Sequence, residues 1–342
     1  MKDPHTQAAE FLEKQLETQA PNLDLDMRRA LASLGAKLAE RKTEEIKAQQ
    51  SRPQTAKILQ FPLPFGEDTR AVSNPLARCA LFAPVKERQH FRDYVTVGEV
   101  DGVKIEIKGE QLNQDDQDAL IQFFTMANHR AIGETIFLRV NPILRGLGRG
   151  NHKSQRIQLF AEIDRLVTTS LRFTPKGRPS IVGHFLDIAS TPQEQKVLPE
   201  FRRHISFRFN PEFARFFDGA FYSLFDCKER VKLKGRGSEL AKWLHLWIIG
   251  NAEQYAHKVE TIREKCGSRT RDLKRFRFQL GQALDLLKEA GIITTWRIDE
   301  ADRVHIERTP SPSQQKHLAK KAAAKARKPR AKGTRKVADY LD

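Results

Sequence analysis

The residue types best placed to do chemistry are three cations, Arg271, Lys274 and Arg275, which fall on one side of a predicted helix. An arginine can donate two parallel hydrogen bonds to the O6 and N7 atoms of a guanine, and a lysine can contact the same edge. These residues therefore offer donors for base edges or phosphates. An amphipathic helix with a merely solvated basic face is the alternative for this stretch taken alone, so the neighbouring elements have to decide.

The helix that carries these cations is predicted to run between Ser268 and Gly291, as N-cap and C′ residue respectively. Apolar residues recur every three or four positions, which indicates a buried stripe. Thr270 and Gln282 flank the cations and are further candidates for base contacts. Arg277 projects nearer the stripe and is predicted to touch phosphate or to pack. The stripe consists of Leu273, Phe276, Leu280, Leu284 and Leu287.

Enzyme chemistry finds little support in the same chain. The segment Gly148–Ser154 comes close to a phosphate-binding loop, but His152 stands where that loop needs a glycine just before its lysine. Asp115, Asp116 and Asp118 could form a carboxylate cluster, yet they open a predicted helix, where the helix dipole favours acidic side chains. We therefore predict a protein that is not an enzyme and that has no cofactor and no metal site.

The charge balance points to a polyanionic partner. The 342 residues include 60 Lys and Arg against 43 Asp and Glu, which gives a net charge of +17 and a pI of about 9.9. Nucleic acid or an anionic membrane would suit this excess. No apolar run approaches the length of a membrane span, and the three cysteines fit neither a disulfide frame nor a CxxC metal site. We expect a cytoplasmic protein without a membrane partner.

The order of predicted elements assigns the chain to the α+β class, with two tandem winged-helix domains. Helix, short strand, helix, turn, helix and hairpin follow one another twice, over about 114–188 and again over 236–308. The first hairpin is expected to pair 170–174 with 180–188. The predicted organisation is a helical or disordered arm (1–56), an extended linear motif and linker (57–72), winged-helix domain 1 (73–202), winged-helix domain 2 (203–308) and a disordered basic tail (309–342).

Further cations occupy the places where such domains meet DNA. Arg297 and Arg303 lie on the predicted second hairpin and would reach the backbone or the minor groove. In domain 1, contacts to phosphates are expected more than contacts to bases. The tail, whose cations run without an acid from Arg308 to Lys336, should attract phosphates without regard to sequence. The domain 1 candidates are Lys153 and Arg156 on the third helix and Lys176 and Arg178 at the hairpin tip.

Three segments of the chain resemble the TrfA family of plasmid replication initiators: 74–82 (NPLARCALF), 104–123 (KIEIKGEQLNQDDQDALIQF) and 259–293 (VETIREKCGSRTRDLKRFRFQLGQALDLLKEAGII). The resemblance covers roughly 59–307. It implies a protein that binds direct repeats (iterons) of a plasmid origin and helps to open the adjacent AT-rich duplex into single-stranded origin DNA. It also implies recruitment of the host replicative helicase together with the host initiator, a monomer on DNA and an inactive homodimer.

Members of this family also contact the replicase sliding clamp through a short glutamine-led apolar motif. QFPLPF (60–65) is the candidate here, with Gln60 in a polar subsite and Leu63 and Phe65 in an apolar pocket. The chain departs from the Leu-Phe ending of the family motif, because Pro64 separates the two apolar residues. A strand or linker that packs on the first winged helix is an equal alternative.

Two other functions stay open at this point. A winged-helix transcriptional regulator would bind an inverted repeat at a promoter as a dimer. The other is an adaptor that bridges the clamp or the helicase to DNA without sequence preference. Its affinity for DNA would depend only on DNA length and salt concentration.

Overall fold

The computed structural model of the chain describes residues 68–327, apart from 101, 128–129, 131–132, 178, 189–195, 212–221, 252 and 311. All of these residues belong to one compact unit, Ile58–Asp342. The predicted arm (1–56) lies outside the described residues. So do the motif residues Gln60, Leu63 and Phe65, the hairpin residue Arg178 and the end of the basic tail.

The described residues form both helices and strands, and the strand ladders are antiparallel, as the α+β prediction requires. The helices are α1 (Asn74–Ala77), α2 (Gln114–Met126), α3 (Val140–Gly146), α4 (Lys153–Thr168), α5 (Cys227–Lys232), α6 (Ser238–Ile249), α7 (Val259–Lys265), α8 (Leu273–Glu289) and α9 (Pro312–Arg327). The strands are β1 (Thr69–Ser73), β2 (His90–Val100), β3 (Val103–Glu110), β4 (Ile136–Arg139), β5 (Ser170–Pro175), β6 (Ile181–Gly183), β7 (Leu186–Ile188), β8 (His204–Phe209), β9 (Tyr222–Asp226), β10 (His257–Lys258), β11 (Thr295–Ile298) and β12 (Arg303–Glu307).

Helix α2 begins where the sequence predicts, because Asn113 caps it. The Asn113 side-chain oxygen accepts hydrogen bonds from the backbone N–H groups of Asp115 and Asp116. The Asp116 carboxylate accepts one in return from the Asn113 N–H at 2.9 Å, which completes a capping box. Asp115 and Asp118 pair with Lys242 of α6, with N–O distances of 2.9 and 3.0 Å. The acidic cluster therefore caps and fastens helices in this fold.

The first half of the described chain builds two antiparallel sheets, with strand orders β2-β3-β5-β6 and β4-β8-β7. The predicted pairing of 170–174 with 180–188 is confirmed for Leu171–Phe173, which lie opposite Ile181–Gly183, whereas 186–188 pairs with β8 instead. The β5–β6 hairpin does not join the sheet that contains β4. β5 pairs with β6 but also with β3, whereas the partner of β4 is β8. The reason is long-range packing: Phe207 of β8 is buried against Phe123 of α2, with 4.9 Å between ring centroids. This contact draws β8 to the first half.

The second half runs α6, β10, α7, α8, β11 and β12, which confirms the predicted order of elements over 236–308. Its antiparallel strands have the order β10-β12-β11. Trp243 and Leu244 of α6 are buried against the stripe of α8, where Phe276, Leu280 and Leu284 are fully buried. Burying a side chain of this size contributes about 1.5–3 kcal/mol. Helix α6 therefore fixes one face of α8 and leaves its opposite face outward.

Two large apolar clusters follow one another along the chain, one drawn from 71–209 and the other from 233–304. The ladder of β1 with β9 places Thr69 opposite Asp226 and Ser73 opposite Tyr222. The predicted domain boundaries stay a prediction. β8 and β9, both placed after the predicted boundary at residue 203, pair with strands of the first half.

A buried arginine on α5 fastens the two halves together. Arg230 is 4% exposed and donates hydrogen bonds to the carboxylate of Asp118, to Gln114 Oε1 at 2.9 Å and to the carbonyl oxygen of Lys242 at 2.7 Å. Burial alone would raise the pKa of Asp118, but the charges of Arg230 and Lys242 outweigh it and lower that pKa to about 2. The junction is thus held by ionised, mutually paired groups.

Disorder was predicted for the whole basic tail, and this is wrong for Pro312–Arg327, where the chain forms α9. Gln314 Nε2 donates to the carbonyl oxygen of Ile249 at 2.8 Å, and Arg308 donates to Gln314 as well. These bonds dock the first turn of α9 at the C-terminal end of α6. Alanine and lysine, the main residue types of this segment, have high helix propensity.

Candidate nucleic-acid interface

The loop and first turn of α8 differ from the predicted start of this helix. Asp272 is the N-cap, and its carboxylate accepts a hydrogen bond from the Lys274 N–H at 2.9 Å. The predicted N-cap, Ser268, lies four residues earlier in a loop, where its hydroxyl oxygen accepts from the Thr270 N–H at 3.3 Å. The predicted C′ glycine is confirmed, since Gly291 has a φ of +81°, a left-handed conformation that suits glycine.

Arg271, Lys274 and Arg275 are all exposed at the N-terminal end of α8. Within the described part of the chain, none of these three side chains takes part in an ion pair or a hydrogen bond. The backbone of the loop is held all the same, because Arg263 Nη1 donates to the carbonyl oxygen of Arg271 at 2.9 Å. The structure thus combines a fixed backbone with three uncommitted cations, which is what contact with base edges or phosphates requires.

The two flanking candidates on this face are less available than the cations. The Thr270 hydroxyl donates to Gln279 Oε1 at 2.9 Å, so it already has a partner within the protein. Gln282 lies one turn beyond Phe278 on the same side of α8, and it is half-buried. Thr270 therefore stabilises the entrance to the helix, and Gln282 remains able to present its amide.

Arg277 ties α8 to the hairpin. Its Nε donates to Asp302 Oδ1 at 2.8 Å, and this hydrogen bond raises the pKa of Arg277. Asp302 lies in the β11–β12 turn with a φ of +59°. The hairpin is also closed by His305, whose Nε2 lies 2.7 Å from Asp299 Oδ2. Arg277 thus pairs with the hairpin at the protein surface, and its predicted role, contact with phosphate or packing, stays a prediction.

The hairpin itself carries two of the predicted contact residues. Arg297 of β11 and Arg303 of β12 are both exposed. Arg297 is opposite His305 in the β11–β12 ladder, and Arg303 is opposite Lys258 of β10. The structure therefore brings these two cations to the sheet that stands beside α8.

The first half presents fewer of its predicted cations than expected. The prediction that Arg156 contacts phosphate conflicts with its placement, because the residue is only 8% exposed. Its guanidinium donates to Asn151 Oδ1 at 2.7 Å, to Asn141 Oδ1 at 3.0 Å and to backbone carbonyl oxygens at Glu200 and Arg202. An arginine with this many internal acceptors organises the loop around it.

Two other candidates of the first half do reach the surface. Lys153 has a side chain that is 71% exposed, and its Nζ lies 3.2 Å from a carboxylate oxygen of Glu200. Lys176 is exposed at the turn between β5 and β6. This turn belongs to the β2-β3-β5-β6 sheet, whereas Lys153 is the first residue of α4.

A groove of about 780 Å³ runs along the exposed face of α8, and sequence reasoning missed part of its wall. Lys86 and Arg236 add cations from outside α8, and Arg269 donates to the carbonyl oxygen of Glu87. Phe278, which is 60% exposed, also lines the groove. Arg236 stands between two glycines just before α6, and this pattern could have marked it as a candidate contact residue. Lys86 has no comparable pattern around it in the sequence.

Neither a membrane span nor a metal-binding cluster occurs among the described residues. No helix in this part of the chain has both the length and the apolar character of a membrane span. Across 68–327, with the gaps given above, no group of three or more His, Cys, Asp or Glu side chains is placed to hold a metal ion.

A sequence model of the TrfA protein family matches residues 28–308, a range that includes α6, α7 and α8. The chain belongs to the TrfA protein family. This confirms the resemblance that the three sequence segments indicate. The plasmid replication initiator protein TrfA of Escherichia coli is 27% identical over 251 residues. The alignment covers 72% of this chain and 63% of that protein, so the chain spans less than two thirds of its relative's length.

Solved structures similar to this chain include two crystal structures of domains 2 and 3 of RctB. Both are 16% identical to the chain and cover 68% of it. Their TM-scores are 0.46 and 0.44, and the chain covers 95% and 94% of their lengths.

Proposed function

We propose that the chain initiates replication of plasmid DNA by binding direct repeats (iterons) in a plasmid origin through α8. Membership of the TrfA family supports the proposal, because the E. coli relative is a plasmid replication initiator protein. The observation that carries it is the division of α8 into two faces. One face is fully buried at Phe276 and Leu280, and the other exposes Lys274 and Arg275 without internal partners.

Residues 238–307 have the element order of a winged helix. Helices α6, α7 and α8 are followed by the β11–β12 hairpin, and β10 adds the third strand. In this proposal α8 is the recognition helix in the major groove, and Arg297 and Arg303 meet the backbone or the minor groove. The strand order β4-β8-β7 of the first half corresponds to β10-β12-β11, which supports a second winged helix whose hairpin is β7–β8.

Arginine gives the interface its base specificity. Arg275 and Arg271 can each donate two hydrogen bonds to one guanine, whereas Lys274 and the more distant Lys153 and Lys176 suit phosphates. The cations of α9 add attraction that is independent of sequence. In this proposal the chain acts by binding and by opening the adjacent duplex, with no enzymatic step of its own.

The remaining partners are proposed from the family resemblance. They are the host replicative helicase, the host initiator and the sliding clamp, the last through Gln60, Leu63 and Phe65. The same proposal places the protein in the bacterial cytoplasm on plasmid DNA, as a monomer when bound and as an inactive homodimer otherwise.

A nuclease footprint of the full-length chain on the DNA that flanks its own gene tests the function. Protection of head-to-tail repeats is the expected result. Protection of a single inverted repeat at a promoter would indicate a transcriptional regulator instead. Protection that extends evenly with DNA length and vanishes with salt would indicate an adaptor without sequence preference.

The role of α8 is tested on the repeat that the footprint defines. Arg275→Ala should weaken binding by about 1–3 kcal/mol and relax the preference at one base position. Lys288→Ala is the matched control, because Lys288 is exposed at the opposite end of the same helix. Equal losses for both variants would show that α8 contributes only general charge.

A further inference from the structure

Phe278 occupies an unusual place on α8. Its side chain is 60% exposed, and among the described residues it is the exposed large hydrophobic side chain of this helix. It follows Arg275 by three positions and precedes Gln282 by four, so it shares their side of the helix. Packing against the core does not account for a phenylalanine here, because the core stripe of α8 is on the opposite side.

The surroundings of the ring are cationic. Phe278 lines the 780 Å³ groove together with Arg271, Arg275, Lys86 and Arg236. If an apolar surface of another protein docked in this groove, the neighbouring cations would lose their water and gain no partner, which costs free energy. A polyanion that also offers a small apolar group fits both features of the groove. Duplex DNA is such a partner, since the major groove exposes the 5-methyl group of each thymine between the phosphates.

The spacing on the helix predicts where that thymine stands. Successive residues of an α-helix rise about 1.5 Å, so Phe278 lies about 4.5 Å farther along α8 than Arg275. Base pairs are stacked about 3.4 Å apart along each strand. The ring and the guanidinium therefore reach base pairs that are one or two steps apart.

We infer that Phe278 is a specificity-determining residue of α8, whose ring contacts the 5-methyl group of a thymine one or two base steps from the base read by Arg275. The inference rests on the proposed function, because it requires α8 to enter the major groove. It adds a preference for an A·T pair to the guanine preference that the arginines supply.

The test uses the full-length chain and a DNA that the chain itself selects. Random-sequence duplexes are enriched by repeated binding, and in the preferred duplex each thymine is replaced in turn by deoxyuridine, which removes only the methyl group. Affinities are measured for the wild type and for Phe278→Ala. Phe137→Ala is the matched control, since Phe137 is a 75% exposed phenylalanine on β4.

One deoxyuridine position should weaken wild-type binding about fourfold, because a buried methyl group contributes about 0.8 kcal/mol. Phe278→Ala should bind the thymine and deoxyuridine duplexes equally, and Phe137→Ala should keep the fourfold difference. An absence of enrichment would defeat the proposed function and this inference together. Enrichment with no deoxyuridine effect, or with the same effect in Phe278→Ala, would overturn the role of Phe278 and leave the proposed function standing.

Discussion

Replacing Arg230 by methionine tests whether the ion cluster holds the two halves of the fold together. Arg230 is almost fully buried and pairs with the carboxylate of Asp118. Removing one partner of a buried ion pair typically costs about 3–5 kcal/mol, because the other charge is left in the interior. Asp118 would retain Lys242 at 3.0 Å. We therefore expect the unfolding free energy of Arg230→Met to fall by about 3 kcal/mol, the lower end of that range.

The pH dependence of this decrease follows from the pKa of Asp118. A depression from 3.8 to about 2 corresponds to about 2.5 kcal/mol of stability. The unfolded carboxyl binds a proton more readily, so this contribution is present above pH 3.8 and is lost as the pH falls through 2. In Arg230→Met the pKa of Asp118 rises toward its ordinary value, and the stability profile between about pH 4 and pH 2 should flatten.

Urea unfolding of the full-length chain, followed by the fluorescence of the buried Trp243 and Trp247, measures both effects. Lys228→Met is the matched control, because Lys228 is on the same short helix and pairs with Asp68 at the surface. It should change stability little. Equal effects of Arg230→Met and Lys228→Met, or an unchanged acid profile in Arg230→Met, would refute the assignment of Arg230 as the buried fastener.

Three further predictions concern single features of the fold. Burial lowers the pKa of His245 to about 3, so the wild type loses stability as the pH falls from 6.5 toward 3. In urea unfolding, the unfolding free energy of His245→Leu relative to the wild type should therefore be about 2 kcal/mol higher at pH 5 than at pH 8. The same difference from the wild type at both pH values would contradict this explanation. The unfolding free energy of Asp302→Ala should be about 1 kcal/mol lower than that of Asp302→Gly, because φ is positive at this position and glycine adopts it without strain. Equal melting temperatures of the two variants would contradict this prediction. Deleting 309–342 should lower the salt slope of binding to a random duplex by about 0.9 for each phosphate that the tail neutralises, and an unchanged slope would remove the tail from the interface.

The face of α8 could be predicted because it depends on helical period alone. Buried and exposed positions repeat as the stripe from Leu273 to Leu287 requires, and Lys274 and Arg275 fall outside it. Its starting residue could not be predicted in the same way, since Ser268 and Asp272 are both favourable caps. The helix begins after Asp272 because its carboxylate caps the Lys274 N–H, while Arg263 holds the backbone of the preceding loop at Arg271.

The sequence does not predict the burial of Arg156 or the strand β2, for two different reasons. Arg156 looks like a surface cation until Glu200 and Arg202, more than forty positions away, supply their carbonyl oxygens to it. Strand β2 contains two register shifts against β3, so its residues do not alternate regularly between faces. Local spacing therefore reveals neither the distant partners of Arg156 nor the register shifts of β2.

The ladder of β1 with β9 has a consequence for the synthesis of the protein. The Ser223 hydroxyl donates to Asn74 Oδ1 at 2.7 Å across 149 positions of sequence, so β1 leaves the ribosome long before its partner exists. At about 5–20 residues per second, the wait is about 8–30 s. During that time β1 is an unpaired edge next to Leu76, which is buried only in the finished fold. A truncated chain that ends before Tyr222 keeps that edge permanently and should aggregate.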